Sequence, residues 1–199
     1  MESMTQNQRK QIIRLVEDQL DKNNLSKTAA QQLIEAGNIF QTRLQSTISE
    51  LTKETFSFLK EIKITVPADY TLNEYFAKFG HKPVSYKPIP GRTYKVKFWL
   101  INKGERPSSE EIIAHLKING VLLTGDLGIS LVYQEKKEEL PVGKWMLSFD
   151  EKDNLYEDAD GYHRVPRIYR YSGGDYEFSL GNFEDDWNGY DCLMGFCDC

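Results

Sequence analysis

Hydrophobic residues recur at helical spacing through the first 60 positions and at alternate positions in much of the rest. That division predicts an N-terminal helical segment followed by a mixed body. In Gln8–Lys22, the residues Ile12, Ile13, Leu15, Val16 and Leu20 form one apolar stripe, and Asn23-Asn24 breaks the run. Ser26 is placed to cap a second helix, Lys27–Ala36, which Gly37 stops. A third helix is predicted from Ile39, Phe40, Leu44, Ile48, Leu51, Thr55 and Phe58 or Leu59, about 20 residues and roughly 30 Å long. Residues 1–60 thus read as a small bundle or an oligomerisation arm, and homo-oligomers are expected through it.

Past residue 60 the period changes. Ile62-Lys-Ile-Thr-Val66 alternates and reads as a strand, Thr71–Phe79 as a short helix stopped by Gly80, and Thr93–Ile101 as a second strand. Three prolines in Lys82–Pro90 remove amide donors, so this stretch is expected to be a linker or docking loop. Ser108 and Glu111 form a capping-box pattern that opens a helix over Ser109–Ile118, ended by Asn119-Gly120. Gly125-Asp-Leu-Gly128 is read as a turn. Strand-like pieces then alternate with turn clusters: Lys144–Phe149, Arg164–Tyr171, Tyr176–Leu180 and Cys192–Cys197. The predicted class is α+β, with a helical segment at 1–60 and, at 61–199, a mixed α/β body ending in an antiparallel β meander.

Composition narrows the functions. With 40% hydrophobic and 28% charged residues among 199, the chain has ordinary globular usage. No apolar run approaches the roughly 20 residues of a membrane span, and the first residues lack a secretory h-region, so a cytoplasmic protein is expected. The net charge of −5 is concentrated: residues 150–199 carry 4 basic and 13 acidic side chains. That field repels phosphate backbones and makes a nucleic-acid partner unexpected, although an acidic mimic of nucleic acid is an alternative.

Several segments carry a family likeness: Leu25-Ser-Lys-Thr-Ala-Ala-Gln-Gln-Leu-Ile-Glu-Ala-Gly37, Lys63–Leu72, the Ser108–Gly120 helix, Leu140-Pro-Val142, Arg164-Val-Pro166 and Phe183-Glu-Asp-Asp-Trp187. In these the chain resembles a family of uncharacterised bacterial proteins common as paralogues in candidate-phylum genomes. The resemblance implies a helical N-terminus and a C-terminal β meander, and no activity. Family members usually finish with a basic Arg-Phe-Leu-Ala-Val-Arg-Lys-like strand, whereas this chain ends Cys192-Leu-Met-Gly-Phe-Cys-Asp-Cys199.

Two residue clusters suggest ions. Cys192, Cys197 and Cys199 are three thiols in eight residues, and with His163 they make a four-donor set for zinc. Read as apolar residues instead, Cys192 and Cys197 belong to a buried strand. The loop Asp150–Gly161 contains Asp158-Ala-Asp160-Gly161, which resembles the middle of a calcium loop. The EF-hand frame, however, would put Tyr156 and Arg167 at ligand positions, and a solvated hairpin is the simpler reading. No organic cofactor and no catalytic residue is expected: there is no nucleophile elbow, zinc-protease helix or Walker loop, and His81, His115 and His163 lie in no motif.

What distinguishes the C-terminal quarter is its mix of aromatic and small polar residues. Tyr169, Tyr171, Asp175, Tyr176, Asp185, Asp186, Trp187, Asn188 and Tyr190 are the candidate ligand-binding residues, because rigid rings give contact area at low entropic cost while small polar groups adapt their hydrogen bonds. The competing reading makes Trp187 and several tyrosines core residues of a small sheet. The expected function is therefore a non-enzymatic protein that binds a protein or small polar ligand through these loops, with zinc binding at the cysteines as an alternative.

Overall fold

The computed structural model describes residues 54–80 and 82–199. The helices predicted over residues 8–53, with the association expected through them, lie outside the described residues, as does His81.

The described elements are mixed. In chain order they are β1 (Phe56–Thr65), α1 (Glu74–Ala77), β2 (Thr93–Ile101), α2 (Ser109–Ile118), α3 (Gly125–Lys136), β3 (Trp145–Ser148), β4 (Tyr156–Glu157), β5 (His163–Arg170), β6 (Tyr176–Asn182) and β7 (Asp191–Asp198). All seven strands share one sheet. β1 pairs antiparallel with β2 and β2 with β7; β7 then runs parallel to β3, and β3 pairs antiparallel with β5. β6 pairs with β5 along its whole length, while β3 and β4 follow one another along the other side of β5.

Three expectations need correction. The third helix does not reach Phe58 or Leu59, because β1 begins at Phe56. A β-bulge between Phe58 and Lys60 puts one extra residue into that strand. It spaces Phe56, Phe58, Leu59 and Ile62 at intervals that imitate a helical stripe. Gly125–Gly128 is not a turn but the first turn of α3. Gly125 takes φ +47°, and a Cβ on Gly128 would stand 1.8 Å from Thr124 Oγ1 and 3.2 Å from the Phe196 ring. Gly128 lets the helix lie against Phe196 of β7, and Gly125 lets its first turn pass close to Asp150. The C-terminal strands are also not a simple meander: β5 forms hairpins with β4 and β6, but β7 leaves them to insert between β2 and β3. Its burial explains the choice. From Asp191 to Cys197 every residue is buried, so β7 satisfies both faces only at the centre of the sheet.

Other calls hold. β2 spans Thr93–Ile101 as read. α2 carries the full capping box: the Glu111 amide donates to Ser108 Oγ at 3.3 Å, and the Ser108 amide donates to Glu111 Oε2 at 2.8 Å. Helix α1 is shorter than the predicted Thr71–Phe79, capped by Asn73, whose Oδ1 accepts from the Tyr75 amide at 2.9 Å.

Alternation on the strands builds two cores. Val96, Phe98, Met146, Ile168, Cys192, Met194 and Phe196 face Ile129 and Val132 of α3. On the opposite side Trp99, Ile101, Leu147, Val165, Leu193 and Cys197 face Ile112, Ile113 and Leu116 of α2. Each fully buried side chain of this kind contributes roughly 1.5–3 kcal/mol. Gly195 is the close-approach point on the second side, where a Cβ would meet Val121 Cγ1 at 2.3 Å. The proline-rich stretch is not a loose linker: the Tyr86 amide donates to the Leu123 carbonyl at 2.9 Å and the Ser85 amide to Asp150 Oδ2 at 3.1 Å.

Candidate functional site

The chain leaves β6 at the edge of the sheet and must reach the start of β7 near its centre. Residues 183–190 make that crossing over the α2 side. Phe183 and Trp187 turn down into the core, 3% exposed each, and Asp185, Asp186 and Tyr190 stay outside. Trp187 is pinned at three points: its amide donates to the Pro107 carbonyl at 3.0 Å, its Nε1 donates to Ser109 Oγ at 2.8 Å, and its ring meets Phe149 edge-on at 5.5 Å. Gly181 provides room for it, since a Cβ there would stand 2.6 Å from the Trp187 ring. The Trp187 ring is therefore held as a core residue, with only an edge left to line the groove beside it. Burying so large a ring stabilises the crossing far more than exposing it would.

Between this crossing and the sheet lies an open groove of about 480 Å³. Asp185, Asp186, Asn188 and Tyr190 form one side, and Trp145, Arg167 and Gly181 the other. Trp145 stands opposite Tyr169 in register, and Arg167 and Tyr169 are two apart on β5, so the three share a face. The Arg167 guanidinium lies over the Trp145 ring at 4.3 Å from its centroid; Trp145 meets Tyr169 at 5.3 Å, and Tyr169 meets Tyr171 at 4.7 Å. Arg167 has one long bond, Nη2 to Ser179 Oγ at 3.5 Å, and its buried Nε has no hydrogen-bond partner among the described residues.

A rigid turn presents Tyr190. The Tyr190 amide donates to Asn188 Oδ1 at 3.0 Å, the Asn188 amide to Asp191 Oδ2 at 2.9 Å, and the Trp145 amide to the Tyr190 carbonyl at 3.0 Å. Lys144 Nζ donates to the Gly189 carbonyl and lies 6.0 Å from the Tyr190 ring centroid. The ring itself remains 74% exposed. Burial pushes the Asp191 carboxyl up, while the Asn188 amide, Arg167 and Lys144 pull it back.

The other nominated residues divide. Tyr171 is exposed and donates its hydroxyl to Glu177, a bond that raises its pKa. Asp175 sits in the β5–β6 hairpin, where its carbonyl accepts from the Tyr171 amide at 2.9 Å. Tyr176 points to the other side of the sheet, packs on Tyr133 at 5.2 Å and donates to the Lys137 carbonyl at 3.1 Å. It braces the end of α3 and does not belong with the groove. Trp145, Arg167 and Lys144 escaped the sequence reading. Their signal was the register of Lys144–Phe149 against Arg164–Tyr171, which a single chain does not reveal before the pairing is known.

The proposed zinc ligands do not meet. Cys192 and Cys197 are five residues apart on one strand, an odd separation, so Cys192 enters the α3-side core and Cys197 the α2-side core. Burial raises both thiols, Cys192 to about 12, which keeps it protonated. Cys199 is exposed. His163 is engaged elsewhere, its Nδ1 3.0 Å from Glu184 Oε1, with Lys152 Nζ at 3.1 Å from the same oxygen. Burial opposes ionisation of Glu184, but the bonds from His163 and Lys152 outweigh it and hold its carboxyl low. Among the described residues no group of three His, Cys, Asp or Glu side chains is placed to hold a metal ion.

The calcium-like loop is likewise occupied by its own bonds. Asp158 Oδ1 accepts from the Asp160 and Tyr162 amides at 3.0 Å each, and Asp158 pairs with Arg164. This is a hairpin turn with Gly161 at φ +83°. Asp150 is buried and holds Ser85, Glu151 and Asn154. Of the exposed acidic side chains, Glu157 and Asp160 lie at the hairpin before β5 and Asp175 at the hairpin after it. His115 is a packing residue, 4.2 Å from the Phe56 ring and 5.6 Å from Trp99, with its pKa lowered by burial.

No helix among the described residues is long and apolar enough to cross a membrane. Compared with protein-family models, with curated proteins and with solved structures, the chain finds no match in any of the three.

Proposed function

We propose that this chain is a non-enzymatic recognition protein, and that the groove between the 183–190 crossing and the exposed side of β3 and β5 receives its ligand. One observation carries the reading: an aromatic ring left 74% exposed on a turn whose backbone is fixed by three hydrogen bonds, at the mouth of a polar groove. An exposed ring on a mobile tip has no clear purpose. The same ring held in one place is a pre-organised contact, since little conformational freedom remains to be lost on binding. Asp185, Asp186 and Asn188 beside it, and Arg167 across from it, supply acceptors and donors for a partner that is polar.

The test is a screen of the full chain against phage-displayed random dodecapeptides and an array of oligosaccharides, repeated with Tyr190→Ala. The reading expects at least one ligand whose retention falls about tenfold or more in the variant, with an unchanged melting temperature. Ligands retained equally by both proteins would place recognition elsewhere.

A further inference from the structure

Resting on that reading, we infer that the groove's ligand is an uncharged oligosaccharide. The argument starts from the charges that face each other across it. An anionic ligand entering beside Arg167 would also meet Asp185, Asp186 and the carboxylate of Asp191. A cationic ligand drawn to those carboxylates would meet Arg167 and, behind Tyr190, the Lys144 ammonium. Both signs of charge lie within one groove, so a ligand carrying net charge gains at one wall and loses at the other.

A neutral polyol avoids that conflict. Each hydroxyl both donates and accepts, so one molecule can accept from the guanidinium and donate to the carboxylates. Charge-assisted bonds of this kind are stronger than neutral ones. Arg167 suits the task because its planar group is already stacked on Trp145, while its Nη atoms make only the one long bond to Ser179 Oγ among the described residues. The exposed Tyr190 ring supplies the other half of sugar chemistry. A pyranose has one face of C–H groups, whose positive edges pack on the electron-rich face of an aromatic ring. The site is also an open groove rather than a closed cavity, so a chain of sugars can lie across it with its ends free.

The experiment reads the two arms of the screen against each other. Labelled full-length protein is applied to an array of neutral, sialylated and sulfated oligosaccharides and, in parallel, to the random dodecapeptides. The best-retained array glycan is then titrated by calorimetry at about 50 mM and about 500 mM NaCl. The inference expects retention of neutral glycans, an affinity that changes less than about twofold between the two salt concentrations, and a loss of about tenfold in Tyr190→Ala and of about fivefold in Asp186→Ala. Both residues are exposed, so each variant is expected to fold, and its melting temperature checks this. Retention only of sialylated or sulfated glycans, or only of peptides, with the same dependence on Tyr190, overturns the neutral sugar and leaves the groove as the recognition site. Binding indifferent to both substitutions, or no binding on either array, overturns both.

Discussion

The two halves of the sheet are built to different rules. β1, β2 and β7 lie between two layers: α3 covers one side, and α2, with the 118–123 connection, covers the other. β3, β5 and β6 are covered by α1 and α3 on the first side. On the second side the α2 core takes in only Leu147 and Val165, and the crossing covers part of the rest, which leaves Trp145, Arg167, Tyr169 and Tyr171 in contact with solvent. In the closed half, side chains are selected for volume and close approach, as at Gly195 and Gly128, where even a methyl group does not fit. In the open half they stack laterally on one another, the cross-strand packing by which an uncovered sheet face supports itself. The difference teaches that stability and recognition are separated in space here, and that Trp187 is the seam: core below, groove wall above.

The strongest way to break that comparison is at the seam. Trp187→Ala removes a buried ring and its Nε1 bond to Ser109 Oγ, which keeps only its own bond to the Phe183 carbonyl, and is expected to cost about 3–5 kcal/mol of unfolding free energy by urea denaturation. A loss below about 1 kcal/mol would mean the crossing is not anchored and the groove has no fixed wall.

A smaller effect sharpens the account of the closed half, where buried Asp150 clips the proline-rich stretch. Burial raises its carboxyl pKa against the pull of the Ser85, Glu151 and Asn154 bonds. Because the folded pKa lies above the unfolded one, this group's stabilising contribution is fully present below the unfolded pKa and is lost as pH rises through the folded one. Wild type is therefore expected to gain stability relative to Asp150→Asn as pH is lowered from 7 toward about 4, measured by urea denaturation of both at each pH. A gap that narrows on acidification would reverse the sign and with it the account.

The smallest effect belongs to the open half. Tyr171→Ala loses one lateral ring contact and an exposed hydrogen bond, so its stability should change by about 0.5 kcal/mol or less. A change of several kcal/mol would make the exposed aromatic row part of the core.

How much of this was legible in the sequence follows the same division. Local signals were read well: the capping box at Ser108 and Glu111, and the alternation of Thr93–Ile101, depend only on neighbours in the chain. What failed depended on distant partners. Gly125 and Gly128 look like a turn unless one knows that Asp150 lies across from the first and Phe196 from the second. The bulge in β1 makes a strand imitate a helix. Composition singled out the right stretch, Tyr169–Tyr190, but could not say that Trp187 points down and Tyr190 up, because that is set by where the crossing runs. Half of the groove, Trp145 and Arg167, was absent from the reading since cross-strand register is not written in either strand alone.

The central position of β7 has a consequence for the order of events as the chain is made. Its partners on β2 are roughly a hundred positions earlier, a separation that slows folding. Until β7 arrives, β2 and β3 each wait with an unpaired edge and an uncovered apolar surface, the condition in which nascent chains associate wrongly. The closed half is thus completed only once β7 is made, and a nascent chain lacking Asp191–Asp198 is one on which chaperones would be expected to act.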